Sequence, residues 1–339
     1  MTNQHILVKD KATDYIILLP NIPSKSEQYA ARLMQNIFEL MGVDIKIMPE
    51  ESGKESKYIS IGNTCIGQEL IKNNNIEKLG TDGFVVKTEN GNLILNAFGE
   101  WGKIYAVLEF AEKNLDYMYY AKDEIRITKE PVVALKSMDF TSAPDFIGRD
   151  VFNYDTHSDA EHSVQLRLNG YYVKWQDCHG EGTPWSSLND QSLVLQIIPH
   201  NQYIAKHPDW YYIPYDNGSN SLKTQICFTK GFYDDKKGGM LETFVDNLIN
   251  NYIIPEKDKK LFMLGITDNE HFCNCEQCTK DVAKYSKSGV MMRFINKVAD
   301  LVEQWRVKNA PIREIFIVTF AYAAVFEPPV KKDGDKYIP

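Results

Sequence analysis

Along this chain the spacing of apolar and polar positions changes several times, and each change marks an element. YIILLP (15–20) is a short apolar run ended by Pro20, the pattern of a buried strand. Ser24-Lys25-Ser26-Glu27 follows, a form in which Ser and Glu side chains satisfy each other's backbone N–H at a helix start. Tyr29, Ala30, Leu33, Met34, Ile37, Phe38 and Met41 recur at helical spacing, and Gly42 sits where that helix would stop. VDIKIM (43–48) and YISIG (58–62) read as strands. GFVVKTENGNLILNAF (83–98) reads as a hairpin, because both arms alternate and Asn90-Gly91 tolerates the positive φ angles of a tight turn. Ile104, Val107, Leu108 and Ala111 predict a further helix. This is a mixed α/β layer over residues 1–130, with its ionisable residues on polar faces.

From residue 131 to 339 strand and helix patterns alternate. VALKSMDF (133–140) and GYYVKW (170–175) read as strands, and AEHSVQLRLN (160–169) as a helix. Leu241, Phe244, Val245, Leu248 and Ile249 share one helical face. LFMLGI (261–266) is almost continuously apolar, as in a strand buried on both faces of a parallel sheet. Met291, Phe294, Ile295, Val298, Leu301, Val302 and Trp305 form another helical stripe, and EIFIVTFAY (314–322) another buried strand. Such alternation predicts a parallel sheet with covering helices, which closes as a (β/α)8 barrel. Only four or five strands can be counted, so the expected barrel is incomplete at the C-terminus; a doubly wound five-strand sheet is the alternative. Residues 176–240, with DCHGEGTPW, HPDWYY and DNGSNS, read as a long irregular loop over the barrel mouth.

Composition narrows the function classes. The 339 residues are 43% hydrophobic and 25% charged, with net charge −8 and no recurring basic stripe, which argues against a nucleic-acid partner. No apolar run reaches the ~18–20 residues of a membrane span. The N-terminus lacks a charged-then-apolar signal, so the protein is expected in the cytoplasm, or in the periplasm or outside the cell if a signal has been removed. Aromatic residues make up 12% of the chain. Sugar rings pack on such flat apolar faces, although core packing uses them equally well.

The chemistry concentrates where LFMLGI gives way to Thr267-Asp268-Asn269-Glu270. Carboxylates at the C-terminal end of a buried parallel strand face a barrel mouth, and glycoside hydrolysis needs two such groups in acid, base or nucleophile roles. Asp268 and Glu270 are therefore the candidate catalytic pair, with Asn269 as a substrate-binding candidate; a polar strand end that caps the next helix is the plain alternative. Three thiols follow at once, Cys273-x-Cys275-x-x-Cys278. They have spacing suited to a structural zinc, with His271, Cys178, His179 or Cys227 as the fourth ligand; a disulfide or free thiols are equally open readings. A catalytic zinc is not expected, because no HExxH accompanies the cluster. Arg149 offers a planar fork to a substrate carboxylate or hydroxyls, or to a structural ion pair. Trp175 and Trp210 are candidate sugar platforms, and Tyr322 a hydrogen-bond donor. His207 reads as a turn residue beside Pro208, and Asn296 as structural.

Two stretches carry a resemblance. DGFVVKTENGNLILNAFGEWGKIYAVLEFAEKNLDYMYY (82–120) resembles the N-terminal accessory domain of bacterial β-hexosaminidases and α-glucuronidases, which implies a non-catalytic domain packed beside a barrel. HPDWYY (207–212), QICFT (225–229), LGITDNEHFCNCEQC (264–278), MMRFINKVAD (291–300) and VTFAY (318–322) resemble a family of uncharacterised bacterial domains found in glycan-degrading bacteria. That family is similar to glycoside hydrolase barrels, so the resemblance implies hydrolysis of a complex glycan. Thr229-Lys230 departs from its frequent Thr-Asn. A carbohydrate-binding pseudo-enzyme, or a zinc-clip scaffold for another protein, are the competing functions.

Overall fold

The computed structural model describes residues 5–52, 57–188, 190–212, 224–333 and 336–338. DNGSNS (216–221) lies outside the described residues. The contacts divide the chain into two units, Met1–Thr183 and Pro184–Pro339, so the observed division comes later than the expected one at residue 130.

Unit one is built on β1 (Ile6–Lys9), β2 (Tyr15–Leu19), α1 (Lys25–Leu40), β3 (Ile47–Pro49), β4 (Lys57–Ile61), α2 (Cys65–Asn74), β5 (Phe84–Glu89), β6 (Asn92–Ala97) and α3 (Glu100–Leu115). The Ser24–Glu27 capping box forms as the sequence requires, with Glu27 N donating to Ser24 Oγ at 3.1 Å. Asn90 and Gly91 take φ of 52° and 79°, and the hairpin pairs in register from Phe84↔Ala97 to Glu89↔Asn92. β3, β2, β4 and β6 run parallel, and β5 joins β6 antiparallel. Alternation sorts the faces of this sheet. Phe84, Val86, Leu93 and Leu95 meet Ile104, Tyr105 and Leu108 of α3, whereas Val85 and Ile94 pack under Leu70 of α2 and Ile76.

The later division has a structural cause. After β7 (Met118–Ala121) and β8 (Glu124–Arg126), the run 133–140 is not one strand. It splits into β9 (Val132–Ala134), antiparallel to β1, and β10 (Asp139–Ser142), which extends the six-stranded sheet beside β5. Two short helices follow, α4 (Tyr154–Ser158) and α5 (Ala160–Gln165); the latter ends where Arg167 takes a φ of 55°. GYYVKW does not form a strand: Tyr171 N donates to Asp150 Oδ2, and the Trp175 indole returns to Gly170 O, so side chains take the place of a strand neighbour. Glu181 then accepts from Glu100 N and Trp101 N, capping α3 where Gly99 offers no side chain.

In unit two, the described residues between 184 and 240 hold more secondary structure than their composition suggests. Leu193–Ile197 makes a wide helical turn, then come α6 (His200–Tyr203), the antiparallel pair β11 (Tyr211–Tyr212) and β12 (Gln225–Ile226), and α7 (Phe228–Tyr233). Leu193, Val194, Ile197, Ile198, Trp210 and Tyr211 enter the core, and their burial explains the order. α8 (Met240–Leu248) buries its expected face. β13 (Leu261–Met263) pairs parallel with β14 (Phe316–Val318), and between them runs α9 (Glu276–Asn309), bent at Ser286, whose φ is 67°. Trp185 adds a parallel bridge to Leu261. The chain is thus mixed α/β, but among the described residues no barrel closes: parallel pairing in unit two is confined to these short segments. No helix among the described residues is long and apolar enough to cross a membrane.

Candidate functional site

LFMLGI makes ladder bonds over three residues only, and the next four show how the site is held. Leu264 N donates to Val318 O and Leu264 O accepts from Thr319 Oγ1. Gly265 N donates to Ser192 Oγ at 3.1 Å, and Gly265 O accepts from Leu193 N. Thr267 N donates to Gln225 Oε1 at 3.2 Å, while Gln225 Nε2 donates to Thr267 O at 2.8 Å. Buried side chains thus stand in for strand neighbours, and the buried backbone groups find partners without a continuing sheet. A Cβ on Gly265 would come within 1.8 Å of Asp190 O, so no larger residue fits that crossing.

Asn269 N closes a tight turn onto Thr267 O at 2.7 Å. Asp268 is the central residue of that three-residue turn, which sends its side chain out of the core. Its Oδ1 accepts from Tyr322 Oη at 2.6 Å. That bond, and the fields of Asp268, Glu270 and Asp190, raise the Tyr322 pKa above its ordinary value, so the phenol keeps its proton and donates. Asp268, Asn269, Glu270, Tyr322, Ala323, Ala324, Phe326 and Glu327 line an open cavity of about 730 Å³. Tyr322 is 48% and Phe326 69% exposed. The sequence reading missed Phe326 and Glu327. Their only signal is position, since they follow Tyr322 within five residues of chain.

The other expected substrate residues have different employment. Arg149 belongs to unit one, where its fork is divided among Asp82 Oδ2 (2.6 Å), Tyr105 Oη and the Phe146 carbonyl, with Nε on Arg167 O; it is a structural ion pair there. Trp175 also sits in unit one, edge-on to Trp101 at 5.0 Å between centroids. Trp210 is only 2% exposed and stacks on His207 at 4.0 Å, so it is core and not a platform. Asn269 lines the cavity, yet its Oδ1 accepts from His271 N and Gln225 Nε2, which shapes the loop.

Beside this loop, Cys273, Cys275 and Cys278 meet a fourth thiol, Cys227, at the end of β12. The four sulfurs all lie within 4.8 Å of one another. Cys178 and His179 lie in unit one, where His179 pairs with Glu161, and His271 packs against Tyr212. Cys275 is the N-cap of α9 and accepts from Cys278 N at 3.4 Å. Thr229 Oγ1 lies 2.9 Å from Cys278 Sγ and 3.5 Å from Cys227 Sγ. Hydrogen bonds from Cys273 and Cys278 draw the Cys227 thiol well below the ordinary thiol range, and the same contacts push those two partners up. Of the four candidates weighed for the missing ligand, only the tertiary structure selects Cys227. Nothing in the sequence singles out Thr229 as a donor to sulfur.

Among curated proteins, none matches this chain. Of solved structures, a family GH115 4-O-methyl-α-glucuronidase with specificity for decorated arabinogalactans is similar at 13% identity and a TM-score of 0.43. The match covers 95% of this chain and 43% of that one. A GH138 enzyme targeting pectin rhamnogalacturonan II is similar at 10% identity and a TM-score of 0.29, over 84% of this chain and 29% of that one. This chain therefore spans less than half the length of either enzyme. Residues 119–338 match the model of a domain of unknown function, DUF4838, and the chain belongs to that family.

Proposed function

We propose that unit two carries a glycoside hydrolase site in the cavity beside Asp268. The observation that carries this reading is the pair of exposed carboxylates, Asp268 and Glu270, delivered by one turn to an open, sugar-sized hollow with a tyrosine hydroxyl fixed on one of them. Cleaving a glycosidic bond requires a proton donor for the leaving oxygen and a carboxylate for the nucleophile, the water or the developing positive charge. Tyr322 holds one oxygen of Asp268, which suits Asp268 to the carboxylate role with its second oxygen free to act. Glu270 is then the proton donor. Phe326 offers the flat apolar face on which a sugar ring stacks.

The lining also bears on the substrate. Among the described residues lining the cavity three are carboxylates, Asp268, Glu270 and Glu327, and none is a cation. A uronate would be repelled by them, so the sugar in this hollow is neutral or basic. The parallel step from β13 through α9 to β14 is the repeat of which (β/α) barrels are made, and an incomplete barrel remains our reading of unit two.

The test is product release from a panel of neutral, amino-sugar and uronate-bearing glycans. Turnover of a neutral or amino sugar, lowered by at least ~10³-fold in Asp268→Asn, is expected; general acid or base roles alone contribute 10²–10⁴-fold. Equal turnover by Asp268→Asn would remove this residue from the mechanism. Binding without any cleavage would favour the carbohydrate-binding alternative.

A further inference from the structure

We propose that Cys227, Cys273, Cys275 and Cys278 bind one zinc ion as a tetrahedral four-thiolate centre, and that this centre clamps the turn that presents Asp268 and Glu270. The metal assignment stands without the hydrolase reading.

The distances argue for a single ion. Four sulfurs at ~2.3 Å from a tetrahedral zinc lie ~3.8 Å from one another. Cys227 Sγ is 3.8 Å from Cys275 Sγ and 3.6 Å from Cys278 Sγ, and the whole set spans no more than 4.8 Å. A disulfide needs sulfurs at ~2.05 Å, and none of these pairs approaches that; all four are free thiols. An iron–sulfur cluster spreads its thiolates over several irons, more widely than 4.8 Å allows. Softness and geometry together select zinc, with a single iron as the competitor.

The surroundings supply what four thiolates require. A zinc ion with four thiolates carries two net negative charges. The Thr229 hydroxyl and the Cys278 N–H point at sulfur, and Cys275 caps α9, whose first ten residues precede the bend at Ser286. Cys227, Cys273 and Cys278 are buried while Cys275 lies at the surface, so one edge is open for the metal to enter.

The centre would also set the position of the loop. Cys227 is two residues from Gln225, the side chain that brackets Thr267. Cys273 is three residues from Glu270. One ion thus joins β12, the far end of the loop and the start of α9, and both ends of the Thr267–Phe272 turn become fixed. Without it, the turn keeps the Gln225 bracket and the Phe228–Phe272 stack but loses the link that holds Cys227 to the start of α9.

The test uses the purified full chain. Elemental analysis should find one zinc per chain, retained in Cys65→Ser and Cys178→Ser and lost in Cys227→Ser and Cys278→Ser. If those last variants fail to fold, the wild-type chain still decides the matter. Two of its six thiols should react at once with a disulfide reagent, and four only as zinc is released to a chelator. Cobalt in place of zinc should give the visible and near-ultraviolet bands of a tetrahedral tetrathiolate. One iron per chain would overturn zinc as the ion. Six thiols reacting alike with no metal released would overturn the site. For the clamp, hydrogen exchange across 267–272 should rise at least tenfold on metal removal; unchanged exchange would leave a metal site that does not position the loop. None of these readouts depends on turnover, so an inactive protein would not be mistaken for a metal-free one.

Discussion

Gln225 and Thr267 exchange two hydrogen bonds in opposite directions, side-chain amide to backbone amide, although 42 residues separate them. The pair imitates one rung of a β ladder where no strand is available. Gln225→Ala would leave the Thr267 N–H without its acceptor, at a cost of about 1–3 kcal/mol for a buried orphan. Gln225→Glu keeps the acceptor and loses the donor. Chemical denaturation should place both variants below the wild type, the glutamate because its buried carboxylate would face the Thr267 carbonyl. A neutral alanine variant would mean that the bracket does not hold the turn.

Arg149 is expected to matter for stability and not for substrate. Its charge meets Asp82 in a half-buried setting, and its other nitrogens serve backbone carbonyls. Arg149→Ala should cost roughly 2–4 kcal/mol, somewhat less than breaking a fully buried pair. The check is a thermal melt beside glycan kinetics. A raised KM at unchanged melting temperature would return Arg149 to the substrate.

Lys103 is almost wholly buried, with its ammonium 3.2 Å from Glu27 Oε1 and also bonded to Glu100. Lys103→Ala strands a buried carboxylate and should destabilise unit one by about 3–5 kcal/mol. Glu27 also accepts from Ser24 N and Asn63 N, so its carboxylate ties the start of α1 to the turn after β4. The double variant Lys103→Met with Glu27→Gln should recover part of the loss in urea titration. Strict additivity of the two single changes would argue that they do not interact.

Acid should loosen unit two through His200. This ring is buried edge-on to Tyr211, and its Nε2 has no hydrogen-bond partner among the described residues. Burial holds its pKa below the ordinary value because the charged form loses water. The unfolded chain therefore binds this proton more readily than the folded one. The neutral ring's contribution is intact above the unfolded pKa of ~6.5 and is lost as pH falls through the lower folded value. His200→Phe keeps an aromatic ring and removes the proton. Unfolding midpoints at pH 7.5 and 5.5 should differ more in the wild type than in the variant; an equal difference would discharge His200 from this role.

Local pattern alone was enough for the capping box at Ser24–Glu27, the Asn90-Gly91 hairpin and the stripe from Met291 to Val302. These depend on neighbours within a few residues, where backbone sterics and amphipathic spacing act directly. Tertiary structure decided what depends on distant partners. An apolar run such as GYYVKW becomes a strand only if another strand offers it a ladder, and the Asp150 carboxylate and the Trp175 indole took that place instead. VALKSMDF was read as one strand, yet β1 and the free edge beside β5 each took one end of it, so it divided between two sheets. Spacing could not tell Trp210 in the core from Phe326 at the cavity, since both are aromatic residues near a strand. Nor could it choose among Cys178, His179, Cys227 and His271 as a fourth ligand. A thiolate site needs sulfur atoms brought within a few ångströms, and folding across the 45 residues between Cys227 and Cys273 is what brings them there.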